Sequence, residues 1–356
     1  MIIHKLNLKN GLIVLTPEDE DDLWALRRVT EPKDLFTTQT TRALKRQGEF
    51  IRPDKGERIP VRITLEVEKT SIDSSLGRLK VFGRIVDASD ESVKKGAHHS
   101  FLITPEKKIE LKKTVFSDQH LSIIKKAYSS EPSFIILAAD RREASIGRVK
   151  GTHLKIITNI ESFAGGKAYS EGGAMQTYYN KILEALKASI REGEMIYLVG
   201  PGPTKNALAN LLKSLDKMAK RVIVVEGVDV AGEDGVRMAL KSQSLQQLLK
   251  DHKIVKASQL VREVLQRIAK NDERVAIGID EVAKAAEVGA VECLLVSDRA
   301  FAEEAKEEKL VQILNMVESS RGQVYLLDSS TEVGLQISAL GGIVGLLRFV
   351  MSNQSF

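Results

Sequence analysis

Two groups of charged residues in this chain are spaced so that they could do chemistry. Five acids stand together at Glu18-Asp19-Glu20-Asp21-Asp22. Carboxylates gathered in this way can hold a divalent cation and activate water for phosphodiester cleavage. Glu18, Asp19, Asp21 and Asp22 are the candidate catalytic set, and a divalent metal would be their cofactor. A plainer explanation competes. Consecutive residues on a helix point in different directions, and acids are favoured in a first helical turn. The second group is cationic. In TTRALKRQGEFIRPDKGERIPVR, Arg42, Lys45, Arg46, Arg52, Lys55, Arg58 and Arg62 outnumber Glu49, Asp54 and Glu57. Long cations around a loop can track phosphates without reading bases, and Phe50 could add stacking. The competing explanation is a solvated strand face.

Other motifs carry less. FAGGKAYSEGGAMQ at 163–176 offers flexible backbone ahead of a helix, and GPGPTK at 200–205 resembles a strand-to-helix turn. Neither has the spacing of a nucleotide-binding fingerprint. His4, His98, His99, His120, His153 and His252 form no metal-ligand pattern, and His98 and His99 would face opposite sides of a strand. Cys293 lies in the apolar run VECLLVS and reads as a core residue, which excludes a disulfide framework and fits a reducing compartment. No Gly-x-Ser-x-Gly elbow occurs.

Elements must position these groups. A chain of 356 residues, with 43% hydrophobic and 28% charged residues, supports two or three globular domains. The N-terminus lacks a signal-peptide pattern, and Gly341 to Leu347 is too short to span a bilayer, so a soluble cytoplasmic protein is expected. Residues 1–130 carry 24 basic and 19 acidic side chains, 131–258 carry 19 and 14, and 259–356 carry 10 and 15. The two basic segments suit a polyanion, and the acidic third segment suits protein contacts.

The first segment reads as short strands with a hairpin at Asn10-Gly11 and one helix. Thr16 is its expected N-cap, Pro17 its first residue, and Arg27 and Arg28 suit its C-terminal dipole. Leu23, Leu26 and Trp24 supply the buried face. Strands over Leu35–Arg46, Ile59–Glu68, Leu79–Val86, His98–Ile103 and Lys108–Val115 suggest a small β-barrel, closed off by a helix over Asp118–Tyr128. The second segment reads as three strands, a helix from Gln176 to Arg191, and then alternating strands and helices. The third begins with a helix from Ser258 and alternates as an α/β/α sandwich.

Over essentially its whole length the chain resembles the Pelota family, ribosome-rescue factors related to class-one release factors. The resemblance rests on EDEDDLWALRRV, GEFIRPDKGERIPVRITLEVE, GAHHSFLITP, YLVGPGPTKN, AIGIDEVAKAAEVGAVECLLVSD and SALGGIVGLLRF in that order. It implies an α+β and α/β multidomain fold: an Sm-like barrel over 1–130, an RNase-H-like domain over 131–258, and over 259–356 an α/β/α domain similar to the release-factor third domain and to kink-turn-binding proteins. It also implies rescue of ribosomes stalled in no-go and non-stop surveillance. The implied partners are the ribosomal A site with its rRNA and mRNA channel, an elongation-factor-type GTPase and an ABC-type recycling ATPase. A monomer is the natural form of such a ligand.

By the same resemblance, Arg42, Lys45, Arg46, Arg52, Lys55 and Arg58, with the loop Thr70 to Leu76, would lie near RNA. The turn Pro201-Gly202-Pro203 with Lys205 would meet the GTPase. Relatives often have an aromatic residue where Pro203 stands, so this chain lacks one anchor there. An endonuclease activity attributed to the family is the alternative, and it would use Glu18 to Asp22. GGK at 165–167, GGAMQ at 172–176 and RGQ at 321–323 all differ from Gly-Gly-Gln, and Asn-Ile-Lys-Ser is absent. Peptide release and stop-codon reading are therefore not expected.

Overall fold

The computed structural model describes residues 1–43, 58–73, 77–91, 93–128, 132–162, 171–215, 219–302 and 304–351. Three sheets follow one another along the chain. The first is built from β1 (Ile2–Asn7), β2 (Leu12–Thr16), α1 (Glu20–Val29), β3 (Leu35–Ala43), β4 (Arg58–Asp73), β5 (Arg78–Ala88), β6 (His98–Ile103), β7 (Ile109–Lys112) and α2 (Asp118–Tyr128). Its strand order is β1-β2-β7-β3-β4-β5-β6, antiparallel throughout. The expected Asn10-Gly11 turn joins β1 to β2 through a 3-10 turn, with Gly11 left-handed at φ 60°.

Alternation puts Ile63, Leu65, Leu79, Val81, Phe101 and Leu111 on the inner face, where all are buried. Bulges at Thr64/Leu65 and Val67/Lys69 bend the long β4, and there Gly83 lies so close that a Cβ would stand 2.0 Å from the Glu66 carbonyl.

The helix start differs from expectation. Thr16 belongs to β2, opposite Ile2, and bonds His4 at 2.8 Å. Asp19 is the N-cap of α1, accepting from the Asp22 N–H at 3.0 Å. A carboxylate cap inside the acidic run displaces the Thr-Pro pair.

The second sheet contains β8 (Phe134–Ala139), β9 (Glu143–Lys150), β10 (His153–Glu161), β11 (Ile196–Val199) and β12 (Val222–Val224), in the order β10-β9-β8-β11-β12. The first three form the expected antiparallel meander, and β11 and β12 run parallel to β8. On one face lie α3 (Glu171–Ser189) and α4 (Thr204–Lys213), with Ile182, Leu186, Leu208 and Leu212 buried. On the other lie α5 (Gly232–Lys241) and α6 (Gln243–Leu248), with Val236, Ala239 and Leu245 buried. Helix α3 starts earlier than expected and takes in Gly172 and Gly173.

One continuous helix, α7 (Lys253–Ala269), leads into the third sheet. That sheet pairs β13 (Val275–Ile277), β14 (Val291–Ser297), β15 (Gln323–Leu327) and β16 (Ile343–Leu347) in the order β13-β16-β14-β15. Helices α8 (Ile279–Glu287) and α9 (Glu304–Ser319) cover one face, while α7 and α10 (Glu332–Ala339) cover the other. This is the anticipated sandwich, and Cys293 is buried in it, its thiol pushed up to about 11 by burial. The fold class is the mixed, multidomain α/β arrangement expected from the sequence.

Candidate functional site

The acidic run at the start of α1 does not converge on a common point. Asp19 caps the helix and meets the Lys150 ammonium. Glu18 and Asp22 both reach the α-amino group of Met1, at 2.6 and 2.5 Å. Asp21 bonds His153 Nε2 at 2.8 Å. Four of the five acids are thus spread over three cationic groups: Glu18 and Asp22 share the Met1 amino group, Asp19 takes Lys150 and Asp21 takes His153. Among the described residues, no group of three His, Cys, Asp or Glu side chains is placed to hold a metal ion.

The pairs with Lys150 and His153 cross between structural units. Lys150 and His153 flank the β9–β10 turn of the second sheet, so α1 of the first unit is clasped by the second. Burial opposes charge on both members of the Asp21–His153 pair. Their mutual attraction outweighs it, holding the Asp21 carboxyl down and raising His153 to about 9. Burial pushes the Glu20 carboxyl up. The turn adds two bonds to the third sheet: Thr152 Oγ1 donates to the Leu326 carbonyl, and the Leu154 N–H donates to Asp328 at 3.1 Å.

The other end of α1 grips α9. Arg27 bonds Glu307 through Nε and Glu308 through Nη2. Arg28 bonds Asn315 at 2.8–2.9 Å and also Glu318. Glu307 additionally accepts from the Ile72 N–H of β4. Between the two ends, Trp24 packs on Phe301 with ring centroids 3.9 Å apart.

Residue types alone assigned Arg27 and Arg28 to the helix dipole and did not find Glu307, Glu318, Lys150 or His153 as partners. One signal was present in the sequence: a basic first segment and an acidic third one, with EEAKEEK at 303–309. Within the chain, acids of the third segment meet arginines of the first unit.

The basic stretch is only partly visible. Arg42 and Arg58 lie in paired strands, with Arg42 opposite Ile59 and Ala43 opposite Arg58. Lys45, Arg46, Arg52 and Lys55 lie outside the described residues, as do 74–76 of the loop that follows Thr70 and residues 163–170 of the glycine-rich stretch.

The Pro-Gly turn is fully described. Gly200 at φ 131° and Gly202 at φ 66° carry the chain from β11 into α4, both in conformations that favour glycine. No side chain caps α4, whose N-cap is Pro203. Lys205 is buried beneath the turn and pairs with exposed Glu226 after β12. Pro201 is half-buried, and Gly202 and Pro203 are exposed at the corner.

Comparison with known proteins places this architecture. The family description "Pelota N-terminal domain" matches residues 1–128, and "eRF1 domain 3" matches 254–351. A protein pelota homolog of Nitrosopumilus maritimus is 38% identical across 98% of this chain and 99% of its own length. The chain belongs to the Pelota family. Another relative, from Cenarchaeum symbiosum, is 34% identical with the same coverage. Among solved structures, Pelota from Thermoplasma acidophilum shares the fold with a TM-score of 0.65 at 23% identity, covering 99% of this chain and 100% of that one. Pelota from Archaeoglobus fulgidus has a TM-score of 0.52 at 28% identity with the same coverage. Of the acids at 18–22, Asp19 and Asp21 join the first unit to the second.

Proposed function

We propose that this chain recognises ribosomes stalled on their messages and helps to take them apart, occupying the place of a release factor while leaving the peptidyl ester intact. The observation that carries this reading is full-length kinship with Pelota proteins, together with a third unit matched by a release-factor domain. The missing Gly-Gly-Gln accords with it, since that tip would place the hydrolytic water. A model of an archaeal Pelota on the ribosome together with ABCE1 exists. For this chain we assign the ribosome and an ABC-type ATPase likewise, and add the ribosomal A site and an elongation-factor-type GTPase from the family resemblance.

The three units divide at 1–130, 131–258 and 259–356, with the second division falling inside α7. Arg42, Lys45, Arg46, Arg52, Lys55 and Arg58 would face RNA, and the Pro201–Lys205 corner would face the GTPase. The work is done in the cytoplasm; among the described residues no helix is long and apolar enough to cross a membrane. The endonuclease alternative is not favoured, because the carboxylates it needs, Glu18, Asp19, Asp21 and Asp22, are taken up by Met1, Lys150 and His153.

The test is reconstitution. The purified chain, its GTPase and the ABC-type ATPase should split ribosomes stalled on a truncated message, leaving peptidyl-tRNA unhydrolysed. Splitting no faster than with the ATPase alone overturns the reading.

A further inference from the structure

The outer face of β5 carries a feature that the assignments above do not use. Leu79, Val81 and Ile85 point into the core, at 0–2% exposure. By alternation, Arg78, Lys80, Phe82 and Arg84 line the opposite face, about 7 Å apart along the strand. An aromatic ring thus stands between cations on one straight track.

Phe82 has a partner. The His98 ring on β6 stacks parallel to it, with centroids 5.4 Å apart and planes 2° apart, and the His98 side chain is 53% exposed. Glu68 holds both the His98 ring, at 3.2 Å, and the Arg84 guanidinium, at 3.8 Å, beside this pair. Across the sheet, Lys69 lies opposite Phe82 from β4, and Ser100 lies opposite it from β6. Strand β6 is an edge of the sheet, so the track is open on that side.

We infer that this face is a single-stranded RNA platform: the Phe82–His98 pair offers a π surface to a base, while Lys80 and Arg84 meet the flanking phosphates. This rests on the reading of the chain as a ribosome ligand and adds an RNA contact outside the 42–58 stretch. The chemistry favours RNA over a protein partner. Cations alternating with a ring, beside a serine hydroxyl, match the alternation of phosphate and base. Of the three acids on the β4 side, Glu66 and Glu68 pair with or adjoin Arg84 and Asp73 lies opposite Arg78, while Lys80 lies opposite Ser71.

The experiment uses the full chain and a labelled oligouridylate. Phe82→Leu keeps apolar bulk over the sheet but removes the ring, and Phe82→Trp keeps a ring. F82L should weaken binding roughly 5- to 100-fold, the range covered by loss of one base stack, and F82W should not. K80Q/R84Q should lower the slope of log affinity against log salt by about 1.4, at about 0.7 per phosphate contact. With 4-thiouridine in the RNA, crosslinks should fall on the peptide containing Phe82.

F82L binding within about two-fold of the unaltered chain, with crosslinks only elsewhere, overturns the platform even if ribosome splitting is intact. A variant that binds RNA normally but no longer supports splitting assigns the face to a protein partner and also overturns it. Failure of the unaltered chain to split ribosomes is a separate result, which refutes the ribosome reading itself.

Discussion

Removing Glu307 should loosen the joint between the first and third units more than any other single change at that interface. Its side chain is 3% exposed and faces an Arg27 side chain that is 8% exposed. Its second oxygen takes the Ile72 N–H at 3.2 Å. Glu307→Ala would leave a buried guanidinium with only Glu308, which is 68% exposed, and a backbone donor with no acceptor. Breaking a buried pair from one side costs roughly 3–5 kcal/mol. Glu308→Ala breaks a solvent-screened contact and should cost about 0–1 kcal/mol.

The assay is built into the molecule. Trp24 is the sole tryptophan, and it sits against Phe301 in this interface. Its fluorescence in a urea titration therefore reports separation of the two units. With a urea dependence of about 3 kcal/mol per molar, E307A should lower the midpoint by about 1–2 M, and E308A by a few tenths. Equal midpoints for the two variants would refute the claim that this ion pair holds the joint.

Two more predictions concern the β9–β10 clasp. His153 is raised from 6.5 to about 9, so its contribution is complete below the unfolded value and is lost as pH rises through about 9. At about 1.4 kcal/mol per pH unit this amounts to roughly 3–4 kcal/mol at most; the melting temperature should fall between pH 7 and 9.5, and His153→Gln should flatten that fall. An unchanged pH profile in H153Q would remove His153 as its source. Gly151 turns at φ +59°, and a Cβ there would stand 2.9 Å from Asp21 Oδ2. Gly151→Ala should therefore cost at least about 1 kcal/mol. Combined with Asp21→Asn it should cost less than the sum, because both act through one contact, whereas strict additivity in a double-mutant cycle would separate them.

The sequence showed the local elements far better than the joints. Asn10-Gly11, the burial of Leu23, Trp24 and Leu26, and the core position of Cys293 were legible because each depends on neighbours a few residues away. The opposed faces of His98 and His99 were legible for the same reason: one stacks on Phe82 and the other meets Phe101 edge-on. The Thr16-Pro17 cap expectation failed because β2 claims Thr16 for pairing across 14 residues of chain, from Ile2 to Thr16. Arg27 and Glu307 are 280 residues apart, and no periodicity links them. The acids at 18–22 resembled a metal cluster because their cationic partners, Met1, Lys150 and His153, lie far from them in sequence.

Helix α7 has a mechanical consequence. Its first turn buries Ile254 and Val255 in the core of the second unit, and the same helix buries Val261 and Val264 in the third. With no break over 17 residues, about 25 Å, it is a beam built into two walls. A push on the third sheet is carried to the second as rotation of a rod, without bending. The first unit is joined to the third by ion pairs and by an apolar cluster that includes Trp24 and Phe301, and to the second by the Lys150 and His153 pairs. Salt and pH act on the charged part of that seam, whereas the join along α7 is made by apolar side chains.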